Sequence, residues 1–168
     1  IGFGISMIAS AQNIQIVPLG VYGGSNESNL SSYLIGEETT NSYLALDAGT
    51  ILSGINKAIE KGTFEEQNNK ILKNYIKGYF ISHGHLDHLS GMIINSPEDS
   101  NKPIYGISET ISVLKNKYFT NDAWANFANE GESPILNKYY YKYAKIGMPF
   151  TIEGTNFTGT IYELSHVN

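Results

Sequence analysis

Six consecutive residues, His83-Gly84-His85-Leu86-Asp87-His88, follow directly on the apolar segment Tyr79-Phe80-Ile81-Ser82. A short apolar run without alternation reads as a strand covered on both faces, which in α/β proteins means a sheet held between layers. Open α/β sheets place their sites beyond the carboxyl ends of such strands, and the histidines begin there. In extended chain, residues i and i+2 point the same way, so His83 and His85 converge while Gly84 leaves room between them. Asp87 and His88 come as the chain turns into the next helix and face a second point nearby, leaving Leu86 to point into the core. Neutral imidazole and carboxylate suit zinc, and also manganese or iron. Packed together they lose solvation and repel when protonated, and a divalent cation relieves both costs. The alternative is a set of surface histidines with no ligand role, but three of the chain's four histidines fall in these six residues. The fourth, His166, ends a strand over 161–165, where it completes the first cation's shell or stands as a loop histidine.

The rest of the chain narrows the partners. All 11 basic residues are lysine, against 16 acids, for a net charge of -5. That balance speaks against a nucleic-acid partner, which needs a basic face, and without arginine there is no planar fork to grip phosphate in two places. With no cysteine there are no disulfides, thiolate ligands or cysteine nucleophile. At 168 residues and 41% hydrophobic, the chain fits about one domain with a real core. Residues 1–11, IGFGISMIASA, end in Ala9-Ser10-Ala11, the small-residue arrangement that signal peptidase favours. They read as the tail of a secretory signal, with residues 12–168 as the mature, periplasmic or secreted domain. The other reading is a first buried strand in a cytoplasmic protein. The run is too short to span a bilayer, so no membrane partner is expected. The far end stops shortly after a strand, so the sequence is expected to be a fragment.

Between these ends the pattern alternates. Strands are expected at 14–19, 29–35, 42–46, 79–82 and 104–107, and helices at 51–59, 71–76, 86–95, 109–118 and 121–128, with a strand-like tail over 135–164. No repeat or linker interrupts them, and one layered α/β unit fits.

The string Ser82-His83-Gly84-His85-Leu86-Asp87-His88-Leu89-Ser90-Gly91 resembles the class II cyclic-nucleotide phosphodiesterases of the metallo-β-lactamase superfamily. The likeness extends to Val17–Gly24 with Asn29–Leu34, to Leu46-Asp47-Ala48-Gly49-Thr50, to Leu114–Asn121 with Trp124-Ala125-Asn126-Phe127, and to Glu163-Leu164-Ser165-His166. Proline is expected where Ala125 stands. The resemblance implies an αββα sandwich, of which this chain would be the N-terminal portion. It also implies two divalent cations, zinc before manganese or iron. His83, His85 and His166 would hold one; Asp87 and His88 would hold the other and act as the catalytic residues. A bridging aspartate and a last histidine of the family pattern are not found before Asn168. The implied reaction opens a 3′,5′-cyclic nucleotide, cyclic AMP or cyclic GMP, to the 5′-monophosphate. A tRNA 3′-processing nuclease, a lactonase, or a metal-binding remnant without turnover are the competing readings.

Three further features stay two-sided. Asp47, at the exit of its strand, orients a ligand histidine from behind or merely forms a turn. Trp124 and Phe127 stack on a purine base, or pack in the core or a homodimer contact. Asn26, with Gly23 and Gly24, belongs to a loop over the site or to a simple turn; the stretch is not a phosphate loop, because the Lys-Ser/Thr ending and the helix start are missing.

Overall fold

The computed structural model describes residues 2–9 and 13–164. Six strands form the larger sheet: β2 (Ile14–Gly20), β3 (Ser32–Glu37), β4 (Tyr43–Leu46), β5 (Ile76–Phe80), β6 (Lys102–Gly106) and β7 (Tyr139–Tyr143), in that spatial order. The first three are antiparallel neighbours, and β4 through β7 run parallel. The smaller sheet has the order β1 (Gly2–Ala9), β9 (Phe157–Leu164), β8 (Pro149–Thr151).

Alternation along the strands separates two cores. Leu34, Ala45, Tyr79, Ile81 and Ile104 face a helical layer. That layer is made by α1 (Leu52–Glu60), α2 (Asn68–Lys70, continued by a π-helical turn Ile71–Tyr75), α3 (Ser90–Asn95) and α4 (Ser108–Val113, continued by a π-helical turn Leu114–Tyr118). Their neighbours Ile35, Leu44, Phe80 and Tyr105 point the opposite way, onto Ile152, Phe157 and Ile161 of the smaller sheet and its approach. Strands buried on both faces lose the polar alternation of a surface sheet, which is why Tyr79–Ile81 reads as a plain apolar run. The described residues thus supply three layers, helices, large sheet and small sheet. None of the described helices is long and apolar enough to cross a membrane.

Several expected elements move. Residues 121–128 are not helical. Asn121 adopts φ +65°, and its Oδ1 accepts from Asn126 N at 3.0 Å. The Asn126 side chain, fully buried, bonds Ala128 N, Glu130 O and Glu132 O. Asparagine side chains here satisfy the backbone that a helix would otherwise pair. The expected helix 86–95 divides into a 3₁₀ turn, Leu86–His88, and α3. The break at Leu89 turns that residue fully into the core and leaves Leu86 59% exposed, against the expectation that Leu86 points inward. Residues 2–9, read as a signal or as a first strand, are a strand paired antiparallel with β9 from Gly2↔Leu164 to Ala9↔Phe157. Ser10, Ala11 and Gln12 lie outside the described residues, as does His166.

Candidate metal centre at the edge of the sheet

Parallel pairing sets Leu46 opposite Phe80, so β4 and β5 end together and deliver Asp47 and Ser82 to the same edge. Asp47 N donates to Phe80 O at 2.8 Å, and its backbone turns through φ +55°, a left-handed conformation that aspartate tolerates better than most residues. Its carboxylate becomes a hub. Oδ1 accepts from Ser82 N at 2.9 Å. Oδ2 accepts from Ser82 Oγ at 3.0 Å and from Ser31 Oγ at 3.3 Å, and lies 2.6 Å from His88 Nδ1. Asp47 therefore both forms the turn and braces a motif histidine. A carboxylate at Nδ1 places the ring proton there, so the neutral ring keeps its lone pair on Nε2. Burial pushes the His88 pKa down, but the hydrogen bond and charge of Asp47, aided by Asp87, outweigh it and leave the pKa raised.

The motif loop is fixed from both sides. Ala48 N donates to His88 O at 2.7 Å. A β-carbon on Gly49 would lie 1.9 Å from Asp87 O, so only glycine lets the Asp47 turn and the 3₁₀ turn meet backbone to backbone. On the helix side, a β-carbon on Gly84 would lie 2.5 Å from Val113 Cγ1, and Tyr118 OH donates to Gly84 O at 3.2 Å.

Held this way, the donors fall into two pairs. His83 Nε2 and His85 Nδ1 lie 3.1 Å apart; His88 Nε2 and Asp87 Oδ2 lie 3.4 Å apart. Two ligands about 2.0–2.1 Å from a tetrahedral ion stand about 3.3 Å from each other, so each pair has the spacing of two ligands of one ion. Among the described residues no three His, Asp or Glu side chains gather to hold a metal, so each pair fits part of a shell and not a whole one.

Ser82 was not expected at the site, yet its hydroxyl lies 3.0 Å from His83 Nδ1 and 3.5 Å from His88 Nδ1 while serving Asp47. Its signal was there to be read: it is the one hydroxyl-bearing aliphatic residue closing an apolar strand. Asn26 lies in the wall of a cavity beside Asp87, with Gly23, Gly24 and Leu86. Trp124 and Phe127 do not line that cavity. Trp124 Nε1 donates to Ser96 Oγ at 3.0 Å, Phe127 lies under Lys138 Nζ at 5.2 Å, and both pack on the helix-side core.

A sheet sandwiched by helices and a second sheet, with histidine and aspartate donors where two parallel strands end, defines a protein of the metallo-β-lactamase fold. Solved structures agree: unliganded yeast PDE1 matches with TM-score 0.67 at 20% identity over 83% of this chain and 52% of that chain. The Bacillus subtilis metallo-β-lactamase fold protein YhfI matches with TM-score 0.50 at 16% identity, over 82% of this chain and 48% of that one. Within that fold, the chain belongs to the class-II cAMP phosphodiesterases, whose family model matches residues 11–160. A 3′,5′-cyclic-nucleotide phosphodiesterase of Aliivibrio fischeri is 39% identical over 96% of this chain and 52% of its own length. A Yersinia pestis protein named "Probable 3',5'-cyclic-nucleotide phosphodiesterase" is 40% identical over 99% of this chain and 51% of its own. The chain thus spans about half the length of these curated relatives.

Proposed function

We propose that this chain supplies the motif half of a metal-dependent phosphodiesterase that opens 3′,5′-cyclic nucleotides, cyclic AMP or cyclic GMP, to 5′-monophosphates. The observation that carries the reading is the pair of donor pairs at the ends of β4 and β5, in a member of the class-II family. His83 and His85 would hold one cation, with His166 the expected third ligand, and Asp87 and His88 the other. Bound there, divalent cations would polarise the phosphoryl group and lower the pKa of water to about 7. The chemistry is suited to zinc, with manganese or iron the alternatives.

In the reaction, a water oxygen bonds to phosphorus, the P–O3′ bond breaks, and the 3′ oxygen leaves with a proton. Asp87 would orient the attacking water and take its proton on Oδ1, since Oδ2 is the donor paired with His88, and that proton passes on to the departing 3′ oxygen. His88 stays fixed because Asp47 grips its Nδ1, so its Nε2 keeps one direction through the cycle. Ser82 locks Asp47 and thereby the distance between the two strand ends. With no arginine in this chain, its own residues offer no guanidinium to neutralise phosphate.

The test uses the full-length protein with cyclic AMP, cyclic GMP, bis-p-nitrophenyl phosphate and a lactone, alongside metal analysis. Opening of the cyclic nucleotides with about two ions per chain supports the proposal. Hydrolysis of the lactone alone would overturn it. Location is a separate proposal: the Ala9-Ser10-Ala11 pattern supports export, whereas the pairing of Gly2–Ala9 with β9 supports a retained strand. N-terminal sequencing of the protein from its own cells separates a start near Gln12 from an uncleaved chain.

A further inference from the structure

We propose that the cavity beside Asp87 is the nucleoside subsite, with Leu86 and Ile94 forming the platform for the base; this rests on the phosphodiesterase reading above. The cavity measures about 650 Å³, within the roughly 300–1,000 Å³ of small-molecule sites. Two large aliphatic side chains line it while remaining mostly exposed, Leu86 at 59% and Ile94 at 62%. The 3₁₀ turn that sends Leu89 inward is what turns Leu86 outward. A nucleobase has apolar faces, and covering them with exposed leucine and isoleucine removes apolar surface of both partners from water.

The opposite wall has different chemistry. Gly23, Gly24, Ser25 and Asn26 offer backbone and small polar groups, suited to ribose hydroxyls and the edge of the base. This wall is pinned. Thr50 Oγ1 accepts from Leu30 N at 2.8 Å and donates to Glu27 O at 3.0 Å. Lys57 Nζ donates to Ser28 O at 2.6 Å. Asn26 Oδ1 accepts from Ser28 N at 3.2 Å and from its hydroxyl at 2.9 Å. A preformed wall binds without the entropy cost of ordering a loop. The cavity is also continuous with the chemistry. A β-carbon on Gly23 would lie 3.5 Å from Asp87 Oδ2, so the loop backbone meets the catalytic carboxylate with no side chain between them. A cation held by Asp87 and His88 would bind the phosphate, and the nucleoside would then fall between Leu86, Ile94 and this loop.

The experiment uses the full-length protein and replaces Ile94, which is solvent-facing on α3. Bis-p-nitrophenyl phosphate carries the reacting group but no nucleoside. With Ile94→Ser, the ratio of kcat/KM for cyclic AMP to kcat/KM for bis-p-nitrophenyl phosphate should fall about tenfold. With Ile94→Phe, which widens the apolar platform, it should hold or rise. Independently of turnover, adenosine alone should show saturation transfer from the metal-free wild-type protein, weakened by Ile94→Ser. A ratio within twofold of wild type for Ile94→Ser, with no adenosine signal, overturns the proposal: another part of the protein, or a second copy, then covers these side chains. If neither substrate is hydrolysed, the phosphodiesterase reading fails, and the adenosine signal still decides whether a nucleoside binds here.

Discussion

Strand β5 serves two polar clusters of opposite character. On its helix-facing side, Tyr79 joins a sealed network around Asp99 and Lys102, whose side chains are 0% and 1% exposed. Lys102 Nζ lies 2.7 Å from Asp99 Oδ1 and donates to Leu72 O at 2.6 Å. Tyr79 OH and Tyr139 OH both donate to Asp99 Oδ2, at 2.6 and 2.7 Å. Burial pulls the Lys102 pKa below its ordinary value although Asp99 opposes that shift. Just past the strand's end, the second cluster packs His83 against His85 and His88, with ring centroids 4.6 and 4.1 Å apart, at an edge open to a cavity. In the first cluster a cation and an anion from the chain balance each other. The second gathers imidazoles and carboxylates, the donors that a divalent cation completes. The comparison separates charge buried to hold a fold from donors gathered to hold a ligand.

The sharpest way to break that distinction is to empty each cluster. Replacing both His83 and His85 with alanine should lower kcat/KM of the full-length protein by at least about a thousandfold, roughly 4 kcal/mol of transition-state stabilisation. Bound metal should fall while urea unfolding of the metal-free protein changes little. Full turnover in that double variant would end the metal reading. Asp99→Asn should do the reverse, destabilising the fold by about 3 kcal/mol because it strands a buried ammonium, while the folded fraction keeps its metal. Pairing Asp99→Leu with Lys102→Met should cost less than either change alone. A loss below about 1 kcal/mol for Asp99→Asn would show that the network is not the anchor its burial suggests.

Alkali probes the same contrast more gently. Burial raises the pKa of Tyr79 and Tyr139 well above the ordinary 10, with the nearby Asp99 carboxylate adding to it. Burial likewise pushes Tyr105 up to about 12. These hydroxyls keep their protons in the folded state where the unfolded chain would release them. The folded state therefore binds more protons above pH 10, and stability is lost as pH rises toward 12. The tyrosinate absorbance of Tyr79, Tyr139 and Tyr105 should appear in one cooperative step together with unfolding. Smooth titration of all 12 tyrosines near pH 10 in a folded protein would contradict this burial.

What the sequence made legible follows from how local each signal is. The apolar run before His83, the turn at Asp47 and the i, i+2 spacing of His83 and His85 are properties of neighbouring residues, and the strand, the edge and the first donor pair could be read from them. The non-helical path of 121–128 depends on Asn126 reaching Glu130 and Glu132, and the brace on His88 comes from 41 residues away. The brace exists only after the sheet has assembled, and the asparagine bonds, though local, leave no periodic pattern to read. Leu86 was misplaced for a related reason: helical periodicity is no guide across a 3₁₀ turn that ends at Leu89.

The smallest expected effect tests how far the helical layer tunes the site. Tyr118 closes the π-helical turn after α4 and spends its hydroxyl on Gly84 O, the carbonyl between the two converging histidines. Thr110 Oγ1 reaches Ser82 O from the same helix at 3.5 Å, so α4 and its extension grip the loop by its backbone. Tyr118→Phe removes one neutral hydrogen bond, worth about 0.5–1.5 kcal/mol, and leaves the ring's packing in place. Zinc affinity, measured by competition with a chelator, should weaken between about twofold and tenfold, with thermal unfolding of the metal-free protein nearly unchanged. Equal affinity in the variant would mean that Val113 against Gly84, and the Asp47 hub on the other side, fix the histidines without help from the tyrosine.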